Sequence, residues 1–359
     1  MNDMSLNAVQ AALAERPLIR PWLVADIGCT NARFGWLGHG HDDVQHVATL
    51  TGAGFAGPAQ AAQAYLADLA SRLGSRYQAP RAAAFAVATA VGGDRVAFTN
   101  SGWAFSRQAT RLELALDELL LLNDFEALAL SLPRLKGKQL RPIVWAPGAG
   151  SGQGLSSVLG AAPGPTVAGA LAVIGPGTGL GVAGIVPTAR GWVAVPGEGG
   201  HASLSPADDF EAAVLAAVRA DYAHVSAERL LSGIGLPVLH KAVATVLAQP
   251  APLLTSEDIV ERGLARQDLA CERTLDSFCA LLGSFAGNVA LVLGARGGVF
   301  VGGGIVPRLG ERFFESRFRE RFEAKGRFQG YLRAVPTSLI TDTLVALTGA
   351  AVALEQHGR

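Results

Sequence analysis

The chain has 359 residues, half of them apolar and only 17% charged, with 30 Lys plus Arg against 30 Asp plus Glu. That length exceeds what one hydrophobic core usually serves, so two domains around a ligand cleft are expected, and the balanced charge leaves no footprint for nucleic acid. Cys29, Cys271 and Cys279 form no CxxC and no metal-like pairing, which argues against a disulfide framework and for a reducing compartment.

The first 20 residues carry Asp3, Glu15 and Arg16 and lack a continuous apolar core. They read as an N-terminal extension rather than a secretory signal, and a cytoplasmic location is expected. Residues 22–37, WLVADIGCTNARFGWL, have the pattern of a β-hairpin: apolar strand, turn, apolar strand. Its turn can cradle phosphate through Gly28, Thr30 and Asn31. Asp26 can hold Mg²⁺ directly or through water, and Arg33 can neutralise charge during transfer. An ordinary hairpin turn has the same residues. Residues 82–91 read as a buried strand, 111–121 as a helix and 120–124 as a short strand ending in Asn123-Asp124. A carboxylate at such a strand end suits a general base, and Asn-Asp before Phe125 equally suits a helix cap.

Residues 142–189 contain no Asp, Glu, Lys or Arg, so a membrane helix within 166–186 has to be weighed. Six glycines or prolines at Gly175, Pro176, Gly177, Gly179, Gly181 and Gly184 favour a buried hairpin instead, and no membrane association is expected. Residues 146–164 read as a Gly/Ser/Ala/Pro loop without periodicity. The stretch 171–186, LAVIGPGTGLGVAGIV, repeats the plan of 22–37, which suggests two related halves facing one ligand. Its Gly177, Thr178 and Gly179 can grip a β- or γ-phosphate, and no G-x-x-x-x-G-K-[ST] occurs. Glu198 and His201, separated by two glycines, can converge on sugar hydroxyls, or His201 can be a loop histidine partnered by Glu198. Residues 208–220, 226–247 and 274–295 have helical spacing, with Glu228 as a first-turn acid, a position that macrodipole stabilisation alone would explain. GGVFVGGG at 297–304 reads as a strand entering a turn, whose Gly302, Gly303 and Gly304 can lie along adenosine or simply reverse the chain. Residues 343–356 read as a final helix, and the alternation defines an α/β class with sheets covered by helices.

Taken in order, DIGCTNAR, FTNSGWAFS, LLNDFEALALSLP, GPGTGLGV, PGEGGHASLSP, HVSAERLLSGIGL, GGVFVGGGIVPR and KGRFQGYL resemble the bacterial glucokinase family of the hexokinase, actin and Hsp70-like ATPase superfamily. The resemblance runs from about Leu23 to Gly349. It implies a two-lobed actin-like ATPase (ribonuclease H-like) fold, each lobe a mixed β-sheet flanked by helices, with the active site in the interdomain cleft. Residues 21–134 plus 341–359 would form the small domain and 135–340 the large one. It further implies that Asn123, Asp124, Glu198, His201 and Glu228 hold glucose, bordered by Thr99 and Asn100, with Asp124 as base for transfer from Mg·ATP to the 6-hydroxyl. Asp26, Gly28, Thr30, Asn31, Gly177, Thr178 and Gly179 would take the ATP phosphates, Gly302 to Gly304 would lie near adenosine, and a homodimer is implied.

Departures from the family pattern are Cys29 in place of a second glycine, Ala88 to Val91 in place of a proline-bearing sugar loop, Thr343 to Leu347 in place of a proline and glycine, and a longer loop at 146–170. Two rivals remain: a kinase of another hexose, and a non-catalytic sugar-sensing regulator or ATP-switched scaffold. The zinc-type Cys/His motif of many repressor-related sugar kinases is missing, which disfavours the first. The 20 residues before Pro21 are too few for a helix-turn-helix, which disfavours a DNA-binding regulator.

Overall fold

A computed structural model describes residues 19–28, 30–89, 91–98, 103–144, 169–189 and 191–357. Cys29, Thr99, Asn100, the 146–164 loop and all but the last two residues of the expected extension lie outside them. The chain divides into two compact units, one of residues 1–134, 188–194 and 343–359 and one of 135–187 and 195–342.

In the first unit, β1 (Trp22–Ile27), β2 (Asn31–Leu37) and β3 (Gln45–Thr51) form an antiparallel meander. β1 also pairs in parallel with β4 (Ala82–Val87), and β5 (Arg95–Ala97) with β6 (Ala104–Ser106) makes a separate two-stranded ribbon. β7 (Glu118–Asn123) completes the main sheet on the far side of β4, giving the order β3-β2-β1-β4-β7. β4 is buried along its whole length, as its unbroken AAAFAV run requires of a strand covered on both faces. Phe34 of β2 meets Phe85 of β4 edge-on and stacks on Tyr65 of the helix Pro58–Leu73.

The helix expected at 111–121 is instead Arg107–Glu113, followed by β7. Ser106 starts it early, its Oγ accepting from Ala109 N at 3.0 Å, and Ala115 turns left-handed at φ 53°, freeing the leucine run for the sheet. The helix Asp124–Ser131 leaves the end of β7 and packs on the helix Val345–Gln356 through a glycine contact. A Cβ at Gly349 would stand 1.6 Å from the Ala127 carbonyl oxygen. Gly349→Ala is therefore expected to push these two helices apart at a cost of about 1–3 kcal/mol, the usual range for overpacking, and thermal denaturation should show a lowered Tm. An unchanged Tm would mean that the helices approach less closely than this.

The second sheet runs β11-β10-β9-β12-β13-β8, with β8 (Leu140–Pro142), β9 (Leu171–Pro176), β10 (Leu180–Thr188), β11 (Gly191–Gly197), β12 (Gly298–Val301) and β13 (Thr337–Ile340). β9 pairs antiparallel with β10 and parallel with β12, and β12 pairs parallel with β13. These are the directions of β1/β2, β1/β4 and β4/β7, so the repetition seen in the two glycine hairpins extends to the whole sheet plan, with β8 added at one edge. Residues 171–188 are thus two strands rather than a membrane helix.

One helix among the described residues, Leu269–Leu293, is long and apolar enough to cross a membrane, and 78% of its apolar window is buried within the fold. It is the core helix of the second unit, capped by Asp268 and ended by Gly294 at φ 60°.

Candidate active site

In the first unit the β1–β2 hairpin closes with Gly28 N donating to Asn31 O at 2.9 Å, and Thr30 O accepts from Gly52 N at 2.8 Å. Asp26 is at the C-terminal end of β1, opposite Arg33 in the antiparallel register. Arg33 Nη1 reaches Asp26 Oδ2 at 3.5 Å and donates to the Thr343 carbonyl at 2.6 Å, so its guanidinium ties the hairpin to the chain entering the final helix. Burial pushes the Asp26 carboxyl above the usual aspartate range, and the Arg33 charge opposes that shift.

β1, β4 and β7 run parallel, so their C-terminal ends place Asp26 and Asn123 on one edge of the sheet. Ile27 O accepts from Ala88 N at 3.1 Å, and Asn123 Nδ2 donates to Thr89 O at 3.3 Å. Asn123 is the N-cap, its Oδ1 accepting from Phe125 N at 2.9 Å, while Asp124 Oδ1 accepts from the same amide at 3.0 Å. Asn123 is thus the cap, and its neighbour Asp124 begins the helix half-buried at the strand end. Burial also raises the Glu126 carboxyl pKa, opposed by an Asn123 backbone hydrogen bond.

In the second unit the β9–β10 hairpin brings Gly177 N to Gly179 O at 2.8 Å. Gly177 O accepts from Gly233 N at 2.7 Å, and Leu180 N donates to Glu228 Oε2 at 2.8 Å. His201 Nε2 lies 3.8 Å from Glu228 Oε1 and 4.0 Å from Glu198 Oε2, so three polar side chains converge beside the hairpin. Gly200 is needed for its closeness: a Cβ there would meet Leu180 O at 2.0 Å. Gly303 holds φ 78° against the hairpin, with no room for a Cβ beside Pro176 O, and Gly302 N donates to Ile174 O at 2.8 Å.

Glu228 does not begin a helix as its spacing suggested. The helix is Leu236–Val246, and residues 226–235 fold as turns, because Glu228 N donates to Gly200 O at 2.8 Å and Ser232 Oγ to Glu228 O at 2.7 Å. Sequence reasoning missed Thr89, Leu180 and Ser232 as supports. Thr89 and Leu180 act through a backbone carbonyl and amide, which leave no trace in residue type.

The structure also gathers His240, Asp268 and Cys271 within 4.8 Å. Asp268 is engaged there as a cap, accepting from Cys271 N at 3.0 Å, and burial pushes the Cys271 thiol up to about 11. This trio reads as packed core.

Two sheets of one plan, each opening on a glycine hairpin, define an actin-like α/β kinase fold. A family model described as glucokinase matches residues 23–357. The glucokinase of Chromobacterium violaceum is 44% identical over 337 residues, covering 94% of this chain and 90% of that protein. That of Neisseria meningitidis serogroup C is 45% identical over 346 residues, covering 94% and 96%. The crystal structure of a glucokinase from an Antarctic psychrotroph superposes with a TM-score of 0.81 at 35% identity, over 94% of this chain and 99% of that one. The chain belongs to the glucokinase family.

Proposed function

We propose that the chain transfers a phosphoryl group from ATP to the 6-hydroxyl of D-glucose, with Asp124 as the general base. The observation that carries this reading is the convergence of Glu198, His201 and Glu228, the last of which accepts from Leu180 N next to Gly177–Gly179, so that hydroxyl recognition lies beside an anion cradle. A sugar hydroxyl both donates and accepts, and two carboxylates flanking an imidazole can satisfy both roles.

Asp124 stands at the start of its helix, where the helix dipole favours negative charge and Phe125 N donates to Oδ1, and its carboxylate would take the O6 proton. Asn123, fixed by Thr89 O, would hold a neighbouring hydroxyl, and Asn100 falls to the same sugar site by its place in the family pattern. The hairpin at Gly28, Thr30 and Asn31 and its counterpart at Gly177, Thr178 and Gly179 would take the phosphates, with Gly302 to Gly304 toward adenosine.

The donor set at Asp26 fits a magnesium ion. Its carboxylate is partly buried and meets its cation Arg33 at 3.5 Å, a hard oxygen ligand that would suit a metal or its water. Bound there with the nucleotide, magnesium would neutralise phosphate charge. A homodimer and a cytoplasmic location belong to the same reading, supported by family membership and by the free buried thiols of Cys271 and Cys279.

A coupled assay across hexoses tests the substrate. Glucose should give the highest kcat/KM, with fructose at least tenfold lower, since a site built on hydroxyl pairing rejects a misplaced one strongly. Fructose turnover above glucose turnover would overturn the assignment.

A further inference from the structure

We propose that Glu228 is a strut shared by the sugar cluster and the phosphate hairpin, and that Gly179, a phosphate-hairpin residue, is a positioning residue for glucose because it leaves room for that carboxylate. The inference rests on the reading of Glu228 as a sugar ligand. One oxygen, Oε2, accepts from the Leu180 amide at 2.8 Å, while the other, Oε1, faces His201 Nε2 at 3.8 Å. The residue is braced from behind by its amide on Gly200 O and by Ser232 Oγ on its carbonyl. The side chain is 25% exposed, so its carboxylate is held by the fold rather than by solvent.

Gly179 closes the remaining side. A Cβ there would stand 2.5 Å from Oε2 and 3.3 Å from Cδ of Glu228. The Gly179 φ lies outside the left-handed region, so space rather than backbone conformation calls for glycine. The obstacle is the end of a flexible side chain, so a substitution is accommodated by swinging the carboxylate away rather than by unfolding. That swing breaks the Leu180 bond and carries Oε1 off the sugar cluster. Gly177, two residues earlier on the same hairpin, has no heavy atom within 4 Å of its would-be Cβ and serves as the contrast.

Calorimetric titration of the full chain with glucose alone, without nucleotide, tests this. Gly179→Ala should raise the glucose Kd about tenfold, the scale of displacing one charge-assisted contact, while Gly177→Ala keeps the wild-type value. The double variant Gly179→Ala/Glu228→Gln should bind no more weakly than Glu228→Gln alone, since both act through one carboxylate. A wild-type Kd for Gly179→Ala with Glu228→Gln weakened, or equal loss in Gly177→Ala, or an additive cycle, would overturn the strut. A wild-type Kd for Glu228→Gln would instead overturn the sugar-ligand reading itself. Thermal denaturation beside each titration should show Gly179→Ala folded, and loss of its unfolding transition counts against the proposal.

Discussion

Asp124→Asn is expected to lower kcat by about 100-fold or more, the usual scale for removing a general base, while glucose still binds. The side chain keeps its size and the oxygen that accepts from Phe125 N at 3.0 Å, and Asn123 retains its own bond to that amide, so the helix Asp124–Ser131 should start where it does now. What is lost is one negative charge at a helix N-terminus and the carboxylate proposed to take a proton from the attacking hydroxyl. The charge loss at this half-buried position costs up to about 2 kcal/mol of stability, too little to unfold the chain. Steady-state kinetics with calorimetry separates the outcomes. A fall in kcat with Kd for glucose nearly unchanged supports the base, whereas near-normal kcat would remove Asp124 from that role and leave it as part of the cap alone.

The ambiguity at Asn123-Asp124 shows what the sequence could carry. Cap and base make the same demand on residue type, a short polar side chain after an apolar strand, and residue type alone does not reveal that both side chains reach Phe125 N. The two hairpins were legible because strand, glycine turn and strand are all local, and β4 was legible because a strand covered on both faces must be apolar throughout. Glu228 was not, since the contacts that bend residues 226–235 away from a helix come from Leu180 and Gly200, far back along the chain. The helix at 107–113 escaped for a related reason: the leucines after it suit helix or strand equally, and a left-handed Ala115 with parallel pairing to β4 decided between them. β8, three residues long, is too short to announce itself.

Arg319→Met should destabilise the second unit by about 3–5 kcal/mol, the cost of breaking a buried ion pair from one side. Arg319 and Glu323 are both almost fully buried and paired at 2.8 Å, four residues apart on the helix Phe318–Glu323. Every guanidinium N–H is used: besides Glu323, the donors reach Val335 O at 2.8 Å, Thr337 Oγ1 at 3.0 Å, Leu332 O at 3.2 Å and Arg333 O at 3.0 Å. One side chain thus pins the turn that leads into β13, and Thr337 in turn donates to Ile143 O at 2.7 Å. Methionine fills the stem but takes a donor from the Val335 and Arg333 carbonyls and from Thr337 Oγ1, while Leu332 O keeps Val335 N, and it leaves the Glu323 carboxylate, among the described residues, with Arg333 Nε at 3.4 Å. Denaturant unfolding should show a lowered midpoint. Arg319→Met/Glu323→Leu should recover part of the loss, because it removes the stranded charge without restoring the carbonyl partners. If the single variant unfolds at the wild-type midpoint, the guanidinium does not hold that turn; if the double variant is no better than the single, the cost lies in the carbonyls rather than in the buried carboxylate.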